Sequence, residues 1–218
     1  MENFLKISLL GLGFFFASGI LAQESDSTTF SRWEHSASLN FNFFQDAFYL
    51  LPTYEVSKGH LHLAARYNYE DINTFSGWVG YNFMGGNHLA YVITPMVGGL
   101  VGRTNAFAAG ALIQLDFSRL SFYSEAEYVF DIVAYGNDYF SNYFYTWTDI
   151  SYALSDWLAV GLSVQNLRTY QSSPDIQRGL LISTSVKEVD ITGYFYSSLT
   201  ADPFFILTLS KDFDVVCK

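Results

Sequence analysis

The sequence predicts an all-β protein, a closed antiparallel up-and-down transmembrane β-barrel of about 12 strands. Three observations carry that prediction. Apolar residues recur with period two rather than in long runs. Tight turns and looser polar segments take turns along the chain. Aromatic residues, 21 Phe and 16 Tyr among 218 residues, dominate the apolar set, and rings pack well on a pleated surface.

The alternation is clearest in Ala37-Ser38-Leu39-Asn40-Phe41-Asn42-Phe43 and in Leu120-Ser121-Phe122-Tyr123-Ser124-Glu125-Ala126-Glu127-Tyr128. It also runs through His60-Leu61-His62-Leu63-Ala64-Ala65-Arg66-Tyr67-Asn68-Tyr69-Glu70. Such a pattern sends one set of side chains to each face of a strand. Tight turns are expected at Ser57-Lys58-Gly59, Met84-Gly85-Gly86-Asn87, Ser118-Arg119, Ser155-Asp156 and Lys187-Glu188, with looser segments between them. Short turns at one end and longer loops at the other are the arrangement of bacterial outer-membrane barrels, whose short turns face the periplasm. The predicted strands are 35–44, 48–56, 60–70, 74–83, 88–99, 106–116, 120–131, 140–154, 157–169, 177–186, 189–198 and 203–213.

Residues 1–23 read as a secretory signal, with Lys6, an apolar run from Ile7 to Phe16 and small residues before a cleavage point near Ala22 or Gln23. A polar lead-in at 24–34, the barrel at 35–213 and a tail at 214–218 complete the expected organisation. A soluble sandwich or lipocalin-like barrel would also alternate, but with its apolar face inward. Here Tyr69, Phe83, Phe130, Tyr152 and Phe213 fall near strand ends in the apolar set, as an interfacial girdle requires. The net charge is −10, and no Lys/Arg cluster is present, which argues against nucleic acid as a partner. The single cysteine, Cys217, can form neither an internal disulfide nor a zinc site. No cofactor is implied.

The terminal segment Phe204-Phe205-Ile206-Leu207-Thr208-Leu209-Ser210-Lys211-Asp212-Phe213 resembles the last strand of outer-membrane proteins, although Asp214–Lys218 follow it. The segments 66–71, 80–83, 123–131 and 175–179 are similar to a group of uncharacterised Gram-negative outer-membrane barrel proteins. The resemblance implies outer-membrane localisation and recognition by the barrel-insertion machinery, and it brings no activity with it. Outer-membrane lipid and lipopolysaccharide are expected partners, with Arg168 and Arg178 near the outer strand ends.

Parity assigns the polar set to the lumen. Arg66, Glu125, Glu127 and Asp149 lie at similar depth when counted from their turns, so one cation is expected to face several carboxylates. The arrangement reads either as a charged constriction or as an ion-paired plug. Glu55, His60, His62, His88 and Asp116 are expected at the periplasmic mouth, where His-x-His could chelate a metal but ordinary polar lining is the preferred reading. Trp33, Trp78, Trp147 and Trp157 are expected as interface anchors or lumen filler. The favoured function is a small porin-like passive channel with an acidic lumen, passing small polar or cationic solutes. The alternatives are a sealed structural or surface-interaction barrel and, less favoured, a lipid or peptide hydrolase using Ser121 or Ser151 with a histidine such as His62.

Overall fold

The computed structural model describes residues 32–132, 142–169, 175–197 and 203–215. The expected signal segment 1–23 and several of the expected outer loops lie outside the described residues. Among the described residues there are thirteen strand segments: β1 (Trp33–Phe43), β2 (Phe48–Lys58), β3 (Leu61–Tyr67), β4 (Thr74–Tyr81), β5 (Phe83–Gly85), β6 (Ala90–Gly102), β7 (Ala106–Phe117), β8 (Leu120–Asp131), β9 (Tyr143–Ser155), β10 (Leu158–Thr169), β11 (Asp175–Val186), β12 (Val189–Tyr196) and β13 (Phe204–Val215). Apart from β4 and β5, which both lie along β6 and not along each other, each strand pairs with its chain neighbours, and β1 pairs with β13. The result is a closed antiparallel barrel of twelve staves, one of which is interrupted.

That interruption has a local cause. Gly80 pairs with Met96 on β4 and Phe83 with Ile93 on β5, so the register is continuous across the gap. The β6 residues that fall within it are Thr94 and Pro95, and Pro95 has no N–H to give to a ladder. Asn82, in the gap, donates its backbone N–H to His60 O at 2.7 Å instead.

The turns use the residues their geometry demands. Lys187 and Glu188 both take positive φ, 49° and 65°, as a two-residue type I′ hairpin requires. Gly86 takes φ 96°, and a Cβ there would lie 1.8 Å from Leu89 O. β1 begins two residues before the expected strand, and β13 continues past Phe213, since Trp33 pairs with Val215.

The inside and outside of the wall are chemically inverted relative to a soluble protein. Outward positions are large and apolar: Val101, Phe107, Leu162 and Leu180 are each more than 59% exposed. Inward positions include Ser36, Ser38, Asn40, Thr53, Ser76, Ser163, Ser183, Thr192, Thr208 and Ser210, all buried. A closed sheet satisfies its backbone without water, and an apolar outer band then faces lipid. Phe83, Phe130, Tyr152 and Phe213 are exposed on that band, as the girdle reading expected.

Candidate functional site at the centre of the lumen

Arg66 sits on β3 and points into the barrel, 1% exposed. Its Nη1 donates to Glu127 Oε1 at 2.6 Å and lies 2.7 Å from Glu125 Oε1. Both glutamates are on β8, which β4, β6 and β7 separate from β3. The bridge therefore crosses the lumen instead of running along the wall. Staves are tilted in a barrel, so residues that meet across the interior are not those on one hydrogen-bonded row. Along the rows Arg66 is level with Ser76, Leu100, Ala106 and finally Asp131.

The guanidinium is also enclosed by rings. Its Cζ lies 4.6 Å from the Tyr69 ring centroid and 5.3 Å from that of Trp78, an attraction that strengthens with desolvation. Tyr69 donates its hydroxyl to Glu125 Oε2 at 2.6 Å, and Tyr123 donates to the same oxygen at 3.1 Å. Glu70 joins from the β3–β4 connection, 3.6 Å from Arg66 Nη1, and accepts from Ser76 Oγ at 2.6 Å and Trp78 Nε1 at 2.9 Å. Room for Trp78 is made by Gly98 on β6, where a Cβ would lie 2.5 Å from the indole.

Of the four expected constriction residues, the structure brings together Arg66, Glu125 and Glu127. Asp149 stands apart. It accepts from Trp147 Nε1 at 2.8 Å, from Tyr194 at 3.2 Å and from Ser163. Pairing sets Asp149 level with Tyr123, two residues from Glu125, a stagger that counting from turns does not see.

Tyr69 is the largest correction. Period two carries it outward with Tyr67, yet it lies inside the lumen. Asn68 takes φ 60° and donates its backbone N–H to Thr74 O at 2.9 Å, so the strand ends at Tyr67 and the alternation breaks. Tyr69 and Glu70 can then both turn inward. A polar Asn ahead of an aromatic–acid pair is the signal that could have marked this turn, because Asn tolerates the left-handed region.

At the end expected to face the periplasm, Glu55 and His62 are buried at 1% exposure each, and His62 Nδ1 lies 3.4 Å from Ser57 Oγ. His60 does not join them. It sits in the turn before β3 and stacks at 4.8 Å on Tyr81, an outward residue. His88 is exposed in the turn before β6, and Asp116 is half-buried and accepts from Gln114 at 3.0 Å. Among the described residues, no group of three or more His, Cys, Asp or Glu could hold a metal. Ser121 and Ser151 pair with each other across β8 and β9, whereas His62 approaches Ser57 on β2. Trp78 and Trp147 fill the lumen, while Trp157 is 60% exposed and Trp33 lies under Lys58 Nζ at 5.1 Å. Arg168 and Arg178 are exposed.

The segment that carries Tyr69 and Glu70 is clasped from outside. Asp71 accepts from Arg103 Nε at 2.8 Å, again from Arg103 Nη2, from Thr104 Oγ1 at 2.6 Å and from the Ile72 N–H at 2.9 Å. Partial burial raises the Asp71 carboxyl, but the Arg103 and Thr104 hydrogen bonds outweigh it and hold the group below its ordinary value of 3.8. A carboxylate with a depressed value contributes stability at higher pH and loses it as pH falls through that value. The clasp should therefore be intact at neutral pH and weaken only below about pH 4. Asp71→Asn should raise amide exchange at Arg103, whose N–H bonds Asn73 O at 3.1 Å. Unchanged protection would show that the clasp does not hold the segment.

No protein-family model matches this chain, and no curated protein matches it in sequence. Solved structures do match in fold. The KdgM porin shares 11% identity over 82% of this chain and 99% of its own, with a TM-score of 0.57. A second structure of it is described as a complex with disordered oligogalacturonate, at 12% identity and the same TM-score of 0.57. The NanC porin shares 8% identity over 80% of this chain and 97% of its own, with a TM-score of 0.59. At these identities the likeness is one of architecture: the chain has the closed barrel fold of small porins of the bacterial outer membrane.

Proposed function

We propose that the protein is a small passive channel of the outer membrane for small polar solutes, with Arg66, Glu125 and Glu127 as its constriction. The observation that carries this reading is the chemistry of the interior. A wall whose inner face bears serine, threonine, asparagine and carboxylate, around a single ion-paired arginine, is lined for contact with water and polar solutes. A barrel that serves only as structure has no need of buried polar atoms left without partners. Asn42 Nδ2, Thr53 Oγ1, both Glu55 oxygens and Asn166 Oδ1 are buried, with no hydrogen-bond partner among the described residues.

The sign of the lining favours cations and neutral solutes. Glu55, Glu70, Glu125, Glu127 and Asp149 line the interior, and among the described residues Arg66 is the cation that pairs with carboxylates there. A polyanion such as the oligogalacturonate described with the KdgM porin would be repelled by such a wall. A second reading, the sealed barrel, is favoured by one observation: Arg66, Glu125 and Glu127 are each only 1% exposed, as residues that plug a lumen would be.

Planar-bilayer recording of the purified protein separates the two. The channel reading expects discrete current steps with cation preference, and Glu125→Gln combined with Glu127→Gln should reduce that preference. Absence of current at every applied voltage would remove the channel and leave the sealed barrel.

A further inference from the structure

Three unpartnered polar groups stand together on the lumen face of β2 and β3, and they differ in kind. Glu55 presents two carboxylate oxygens and Thr53 a hydroxyl, while Arg66 presents Nε and Nη2, none with a hydrogen-bond partner among the described residues. Thr53 is directly opposite Arg66 in the β2–β3 ladder, and Glu55 is opposite Ala64. Glu55 is therefore the diagonal neighbour of Arg66, roughly 7–8 Å away by sheet geometry. Residue exposures are 1% for Glu55, 5% for Thr53 and 1% for Arg66.

The Arg66 donors are divided in a telling way. Nη1 is committed to Glu125 and Glu127, and the ring faces of Tyr69 and Trp78 lie against the guanidinium. What remains is the Nε–Nη2 edge, the side of a guanidinium that grips a carboxylate with two parallel hydrogen bonds. Arg66 can thus take a third carboxylate without releasing Glu125 and Glu127. Glu55, meanwhile, is a buried acid to which no described residue supplies a donor; such a group stays neutral until a cation arrives to pair with its carboxylate.

We propose that Glu55, Thr53 and Arg66 form a subsite for a small zwitterion of the amino-acid class, its ammonium on Glu55, its carboxylate on the free Arg66 edge, and Thr53 between them. This rests on the channel reading only for its physiological sense, since it names the solute that pauses at the constriction. The pair of charges is balanced, so a zwitterion satisfies both orphans at once. A lone cation or a lone anion satisfies one and leaves the other buried and unpaired.

The test is binding, read apart from conduction. Trp78 lies against Arg66, so tryptophan fluorescence of the refolded full-length protein in detergent is titrated with glycine, and with acetate and methylammonium as its two halves. Glycine should give a saturable change, with each half about tenfold weaker or more, the loss expected for one charge-assisted contact. Glu55→Gln should weaken glycine by a similar factor, and Glu55→Asp should recover part of it. Should Glu55→Gln not fold, Thr53→Val keeps both charges and should weaken glycine about threefold. Absence of a saturable response, equal responses to glycine and its halves, or binding untouched by these variants would overturn the proposal. Glycine binding without current would remove the channel and keep the subsite, whereas current without glycine binding would remove the subsite alone.

Discussion

Arg66→Ala is expected to lower the stability of the folded barrel by about 3–5 kcal/mol, the range for removing one partner of a buried ion pair. The reason is what stays behind. Glu125 and Glu127 are each 1% exposed, and without Nη1 at 2.6–2.7 Å they become two adjacent buried acids with no cation between them, which cannot both stay ionised. Tyr69 and Trp78 lose the cation they enclose, so packing suffers as well as charge. The measurement is the urea midpoint in detergent micelles, with an unchanged slope showing that the variant still folds to the same barrel. A triple variant, Arg66→Ala with Glu125→Gln and Glu127→Gln, should regain most of the loss, because the carboxylates that needed the arginine are gone. A cost below about 1 kcal/mol would place the bridge among weak surface-type pairs, against its burial. On the channel proposal the single variant should conduct more in bilayers, and with stronger cation preference, since a bulky cation has been removed.

The reach of sequence reasoning is best judged at individual positions. The staves were legible because each strand is bounded by a turn with its own chemistry, as at Lys187-Glu188, and because parity is unbroken within it. Parity also sent Glu55, His62, Arg66, Glu125 and Glu127 inward, where the structure has them. It failed wherever the chain stopped being a strand. Asn68 leaves the extended region, and Tyr69 turns in rather than out; His60 belongs to a turn and stacks on the lipid-facing side. Depth was the weaker coordinate. Counting from turns assumes that strands run parallel to the barrel axis, and tilt displaces Asp149 from the arginine while bringing Glu127 to it. The unbonded Arg66 edge and the orphan carboxylate of Glu55 had no sequence signal at all, because they follow from which rings and acids reach Arg66 from β4, β8 and the β3–β4 connection.

Leu180→Arg tests the other face of the same wall. Leu180 lies midway along β11, is 62% exposed and pairs with Leu162 on β10, itself 60% exposed. If that surface meets hydrocarbon, an arginine there costs about 2–4 kcal/mol of barrel stability in lipid, and the cost falls to about 0–1 kcal/mol near the interface. Val186, at the turn end of the same strand and on the same face, is 50% exposed, so Val186→Arg should be nearly neutral. Unfolding of both variants from phosphatidylcholine vesicles supplies the comparison. The sign of the effect is what discriminates: on a water-facing surface, exchanging an exposed leucine for arginine is close to neutral, and depth along the strand is irrelevant. Equal costs for the two variants, or no cost at Leu180, would mean that the outward apolar band is not a membrane belt. A cost that is large at Leu180 and small at Val186 would set the bilayer midplane near Leu162 and Leu180.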